Sequence, residues 1–227
     1  MRKEFLWVEK YRPKKTEDCI LTAKVKQLVN GILETGEIPN LTFAGSPGTG
    51  KTTLIKALAE ELDYEYLFIN SSLDRGIDVL RMTLSDFSSK VSLEDKRKLI
   101  VLDEADHLTN QAQLALRAFI EKTSSNCTFV LTCNHSNKIE SALLSRCPLI
   151  DFTFKEEDKK DILTGYAKRL AAILKSEKIS FDPKTLVEFV KQNYPDFRLI
   201  IGEVQNYVRA TDSLDAGILT FKVSSDI

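Results

Sequence analysis

The octapeptide "GSPGTGKT" at residues 45–52 has the residue types and spacing to hold a polyphosphate. It fits G-x-x-x-x-G-K-[ST], a pattern in which glycines let backbone N–H groups converge on phosphate oxygens. Gly45, Gly48 and Gly50 would form the cradle, with the positive end of the following helix behind it. Lys51 would reach the β and γ phosphates of ATP, Thr52 would hold Mg²⁺, and Thr49 and Thr53 complete the candidate nucleotide-contacting set. A glycine-rich turn with a chance lysine is the competing reading. Against it, the motif follows the apolar run "NLTFA" and precedes the amphipathic run "TTLIKALAEEL", the context that a phosphate loop requires.

Two carboxylates could complete this chemistry. In "KLIVLDEADHL" an apolar strand delivers Asp103 and Glu104 at its carboxyl end, the side of an open α/β sheet on which ligands bind. Asp103 would hold Mg²⁺ through water, and Glu104 would polarise an attacking water. A helix cap is the plainer use of such a pair. The next strand ends in "LTCN", which puts Asn134 level with them, within reach of a γ-phosphate or the attacking water, or at the start of a turn. Asn70 ends "EYLFIN" in the same way and would either hydrogen-bond Glu104, as a switch holding it away from water, or start a turn. Further along, Arg198 falls in the first turn of a helix beginning near Asp196, where a cation faces the positive end of the helix dipole. It would either pair with Asp196 or reach a γ-phosphate.

The elements that position these residues alternate between short apolar runs and longer helical patterns, as in a parallel α/β sheet. Candidate strands are 40–44, 65–70, 98–103, 128–134 and 149–154. Beyond residue 155 the strand-like runs largely stop, and three helices can be traced. The first places Ile162, Tyr166, Leu170, Ile173 and Leu174 on one face, and the second opens with Asp182 as cap and Pro183 at its first position. The expected division is therefore an α/β nucleotide-binding domain over 1–154 and a small helical lid over 155–227. Composition agrees with a packed protein, 43% hydrophobic and 29% charged. No apolar run approaches the roughly 20 residues that cross a bilayer, and the charged start "MRKEFLWVEKYRP" lacks a leader's apolar core, so the expected location is a cytoplasm. The 4 cysteines form no CxxC pair and the 2 histidines add no metal-binding spacing, so reduced, buried thiols are expected. A net charge of −1 gives no global basic field, and any nucleic-acid contact must come from locally placed Lys and Arg.

Taken in order, the phosphate loop, the "DEAD" strand end, Asn134, "SRC" at 145–147 and a helical lid carrying Arg198 resemble the AAA+ ATPases. Among these, "VEKYRPKKTEDCIL", "SSLDRGIDVLR" and "QAQLALRAFIEKTSSNCTFVLTCN" are similar to the clamp-loader ATPase subunits, and "NYPDFRLIIGEVQN" to the version in T4-type bacteriophages. The resemblance implies a P-loop fold of five parallel strands, with Tyr11, Arg12 and Pro13 beside the adenine and ribose. It implies that Arg146 acts as an arginine finger in the ATP site of an adjacent subunit, rather than pairing with a local acid such as Asp151. It also implies partners: further loader subunits, pentameric in the full-length form, a sliding clamp and primer-template DNA. Arg75, Arg81 and Arg117 lie on helices that would track the DNA backbone, unless they form an ordinary solvated face. Gln113 would link DNA contact to Glu104. A helical collar normally follows the lid in this family, and the sequence ends at "TFKVSSDI" before one. Another AAA+ replication remodeller, such as a helicase loader or initiator, a P-loop small-molecule kinase and a nucleotide-gated binding module are the alternatives.

Overall fold

The computed structural model describes residues 5–73, 77–90 and 96–221. A short helix, α1 (Trp7–Lys10), leads to α2 (Ala23–Thr35), β1 (Leu41–Ala44), α3 (Lys51–Glu61), β2 (Glu65–Asn70) and α4 (Ile77–Ser89). The chain continues through β3 (Lys98–Asp103), α5 (Asn110–Thr123), β4 (Cys127–Cys133), α6 (Ser141–Leu144) and β5 (Leu149–Asp151). Three helices follow: α7 (Glu156–Ser176), α8 (Pro183–Asn193) and α9 (Phe197–Thr211). The two-residue strands β6 (Ser180–Phe181) and β7 (Ser213–Leu214) pair in parallel beside them.

β1 to β5 form one parallel sheet in the order β2-β3-β4-β1-β5. Its three central strands are buried on both faces, which explains their nearly continuous apolar sequences. Alternate side chains enter opposite cores. Leu41, Phe43, Leu99, Val101 and Val130 pack with α2 and α3, whereas Ala44, Ile100, Leu102, Phe129 and Leu131 pack with α4 and α5. The edge strands β2 and β5 are only partly buried. β5 ends at Asp151, short of the expected 154: the Phe152 N–H still donates to the Ala44 carbonyl at 2.7 Å, and the Asp151 carboxylate then accepts from the Thr153 N–H at 2.8 Å, which turns the chain out of the ladder.

The helices after the sheet build a third core. The buried stripe of α7 is Ile162, Tyr166, Leu170, Ile173 and Leu174, as its periodicity predicts. Asp182 caps α8, accepting from the Thr185 N–H at 2.9 Å, with Pro183 at the first helical position. Trp7 belongs to this same cluster although it precedes the sheet in sequence. Its backbone N–H donates to the buried Gln205 side chain at 3.0 Å, and Gln205 donates in turn to the Phe5 carbonyl at 2.8 Å. The β6–β7 pair was not expected from sequence, because two-residue strands carry no periodic signal.

Candidate nucleotide site

The carboxyl ends of β1, β4 and β3 lie side by side, so the phosphate loop, Asn134 and the pair Asp103–Glu104 converge by topology alone. Gly48 has φ +73°, and a Cβ there would meet the Asp196 carboxylate at 1.9 Å. Only glycine lets the loop adopt this turn while the start of α9 rests against it. At Gly45 a Cβ would press on Phe152 at 2.9 Å.

Lys51 begins α3 and is 8% exposed. Its ammonium donates to the carbonyls of Gly45 at 2.7 Å and Ser46 at 2.8 Å, and to Asn134 Oδ1 at 3.1 Å. All three acceptors are neutral, so burial pulls the lysine below its ordinary pKa; Asp103 and Asp106 oppose that shift and Arg198 adds to it. A phosphate at the loop would supply the negative charge that this shell does not. Beside it, the Thr52 hydroxyl donates to Asp103 Oδ1 at 2.8 Å. A hydroxyl and a carboxylate are hard oxygen donors suited to Mg²⁺, so the residues present fit both nucleotide and metal.

The pocket's lining includes Tyr11, Arg12, Pro13, Gly48–Thr53, Asp103, Glu104, Asn134 and Arg198. Arg12 donates to Thr53 at 3.5 Å and also pairs with Glu9, while Tyr11 donates to Glu177 Oε1 at 2.5 Å, on the lid. Arg198 follows the N-cap Asp196, which accepts from the Leu199 N–H at 3.0 Å. It makes no ion pair with Asp196 among the described residues; it is exposed and lines the pocket. The lid adds Tyr166, Arg169, Phe197 and Ile201 to the wall, with Tyr166 stacked on Phe197 at 4.3 Å. Tyr166 was expected only as part of the buried face of its helix, and Arg169, Phe197 and Ile201 were not singled out, because helical spacing alone does not tell a pocket wall from core or solvated face.

Several expected placements differ. Asn70 Oδ1 accepts from the N–H and hydroxyl of Ser72 at 2.9 and 2.7 Å, which closes the local turn that was the second of its two expected roles, and its NH₂ makes no hydrogen bond to Glu104 among the described residues. Gln113 is 2% exposed and donates to the carbonyls of Leu108 and Lys138 while accepting from the Glu140 N–H at 2.8 Å. It ties α5 to the segment entering α6, not to Glu104. Arg146, just after α6, is not part of the pocket lining. Its guanidinium pairs with Glu121 of α5 and donates to the Ala142 carbonyl at 2.8 Å, whereas Asp151 accepts from the Thr153 N–H. Arg117 reaches the same Glu121 at 3.7 Å. Arg81 is exposed on α4, and Arg75 lies outside the described residues.

A family model described as "ATPase family associated with various cellular activities (AAA)" matches residues 41–153. A second, "Sliding-clamp-loader large subunit, AAA+ ATPase lid domain", matches residues 158–220. The sliding-clamp-loader large subunit of Enterobacteria phage T4 is 40% identical over 222 residues, 96% of this chain and 69% of that protein. Replication factor C subunit 3 of Saccharomyces cerevisiae is 38% identical over 92% of this chain and 62% of its own length. A structure of the Thermotoga maritima RuvB Holliday junction branch migration motor superposes with a TM-score of 0.69 at 20% identity, over 92% of this chain and 71% of that one, a likeness of fold alone. With its phosphate loop, strand-end carboxylates and lid, the chain is a nucleotide-binding AAA ATPase and belongs to the sliding-clamp-loader family.

Proposed function

We propose that the chain is the ATP-hydrolysing subunit of a sliding-clamp loader, acting with further subunits to open a clamp and place it on primer-template DNA. The loop amides and Lys51 bind the β and γ phosphates. Tyr11, Arg12 and Pro13 flank the base and ribose, and Arg198 brings the lid onto the γ-phosphate. Thr52 and Asp103 would hold Mg²⁺, which neutralises charge on the phosphates. Glu104 orients and polarises the attacking water, and Asn134 shares that water or the γ-phosphate. Arg81 and Arg117 are candidate contacts to the DNA backbone, which bind phosphate without reading bases.

One observation carries the reading: Arg146 stands outside the pocket, held on another face by Glu121. The site has a base, a metal set and a lid cation of its own; its other arginines, Arg12 and Arg169, are engaged with Glu9 and Thr53 and with Asp18 and the Tyr11 carbonyl, so a neighbouring subunit's Arg146 would supply the finger. Such a finger contributes roughly 10³–10⁵ in rate.

The test is steady-state ATP hydrolysis against protein concentration, with clamp and primer-template DNA, for wild type, Arg146→Ala, Glu104→Gln and an equimolar mixture of the two variants. Each variant lacks a different half of a shared site. Recovery of activity in the mixture, with a wild-type rate that rises steeply with concentration, is the expected result. A rate independent of concentration and unchanged in Arg146→Ala would sink the shared-site reading and favour a self-contained enzyme.

A further inference from the structure

The β3–β4 ladder ends at the pair Leu102–Leu131, one residue before the carboxylates that matter. Asp103 keeps a ladder partner only on its β2 side, where its carbonyl accepts from the Ser71 N–H at 2.9 Å. Glu104 leaves the strand in the left-handed region, at φ +56°, which a residue with a Cβ adopts only when its surroundings hold it there. On the β4 side the holding group is a side chain. The Thr132 hydroxyl accepts from the Glu104 N–H at 3.0 Å and donates to Asp103 Oδ1 at 2.6 Å.

Those directions are fixed by chemistry: an N–H only donates, a carboxylate only accepts, and one hydroxyl can do both at once. Thr132 is 1% exposed, so its hydroxyl is held in place between these two partners. The same Asp103 oxygen also accepts from Thr52 at 2.8 Å. Two hydroxyls thus orient the carboxylate, one from the nucleotide loop and one from the neighbouring strand. Thr132 lies two residues before Asn134 and so on the same face of its strand.

We propose that Thr132 is a positioning residue for the hydrolytic step. Its single hydroxyl fixes the Asp103 carboxylate toward the metal and sets the backbone turn that aims Glu104 at the attacking water. The proposal rests on the reading of Asp103 and Glu104 given above. It makes Thr132 a residue of kcat and of Mg²⁺ response more than of nucleotide affinity, because its hydroxyl, although in the wall of the same pocket, is bonded to Asp103 and the Glu104 N–H and to no residue of the phosphate loop.

The experiment compares wild type, Thr132→Val, Thr132→Ser and Glu104→Gln, each assembled with clamp and DNA. Three quantities are read: the hydrolysis rate, the Mg²⁺ concentration that half-maximally changes binding of a fluorescent ATP analogue, and the melting temperature. Valine fills the threonine's space without the hydroxyl. Thr132→Val should lose on the order of 10–100-fold in kcat and need several-fold more Mg²⁺, as groups that orient metal ligands typically show. Affinity for the analogue without Mg²⁺ should hold, and Thr132→Ser should restore the wild-type behaviour. Wild-type kcat and Mg²⁺ response in Thr132→Val, with Glu104→Gln inactive, overturns the proposal; so does a loss that Thr132→Ser shares or that merely tracks melting temperature. If Glu104→Gln itself hydrolyses ATP normally, the underlying reading of the site fails instead. Should Thr132→Val not fold, Thr132→Ala replaces it, and equal activity of the alanine and serine variants counts against the role.

Discussion

Cys19, Cys133 and Cys147 show how far burial alone sets the chemistry of a side chain here. Desolvation pushes their thiols up to about 12, 11 and 12, and raises Cys127 as well. All 4 are free and buried. At about 11, Cys133 holds a thiolate fraction of only about 10⁻³ at pH 8, and the thiolate is the reactive form. An aromatic disulfide reagent added to native protein at pH 8 should therefore release almost no chromophore over minutes. In denaturant the same assay should count 4 thiols. Prompt labelling of the native protein would mean that one of these sites opens to solvent. Lys51 is shifted by the same desolvation, but its position in a phosphate loop turns that shift into function: an ammonium surrounded by neutral acceptors is ready for an anion.

Among the elements, α8 shows its whole design in sequence. Asp182 accepts from both the N–H and the hydroxyl of Thr185, and these bonds hold its carboxyl below the usual value of 3.8. A carboxylate with a lowered folded pKa stabilises the fold above its unfolded pKa and loses that contribution as pH falls through the folded one. Asp182→Ala should lower the melting temperature by a few degrees at pH 7. That difference from wild type should shrink as pH drops below about 4. A gap that stays constant across the titration would show that the cap acts through shape and not charge. Beside it, α5 joins two functions on one face: Gln113 ties it to the segment before α6, and Glu121 holds both Arg146 and Arg117. Such exposed ion pairs are weak, so the Arg146–Glu121 pair costs little to break.

On the scale of the whole molecule, the N-terminal segment joins the two halves of the nucleotide site. Trp7 is packed into the lid core and Tyr11 is bonded to Glu177 and Ser176, while Arg12 and Pro13, next in the chain, line the pocket. Trp7→Ala removes the largest side chain in that contact and should cost about 3–5 kcal/mol. ATP affinity should fall with it, because the segment that lines the pocket loses its anchor on the lid. Thermal melting and ATP-analogue titration of this variant test both statements; unchanged affinity would separate the anchor from the pocket. Trp7 is the only tryptophan, so the intrinsic indole emission of the wild type reports this packing directly.

Much of this was legible in the residues themselves. The glycine and lysine spacing of 45–52, the apolar runs of the central strands and the stripe of α7 are local patterns, and local patterns survive in one dimension. The five parallel strands, the lid helices and the convergence of Lys51, Asp103 and Asn134 followed from them. What the sequence could not determine were choices between partners of similar chemistry. Arg146 had several acids within reach and takes Glu121; Asn70 takes Ser72, and Gln113 takes Glu140. Nor could it place Trp7 with the lid or Thr132 between two carboxylate-bearing residues. Those contacts depend on which strands become neighbours and where a ladder stops, and only the packed chain brings residues about 30 or 200 positions apart to within 3.0 Å.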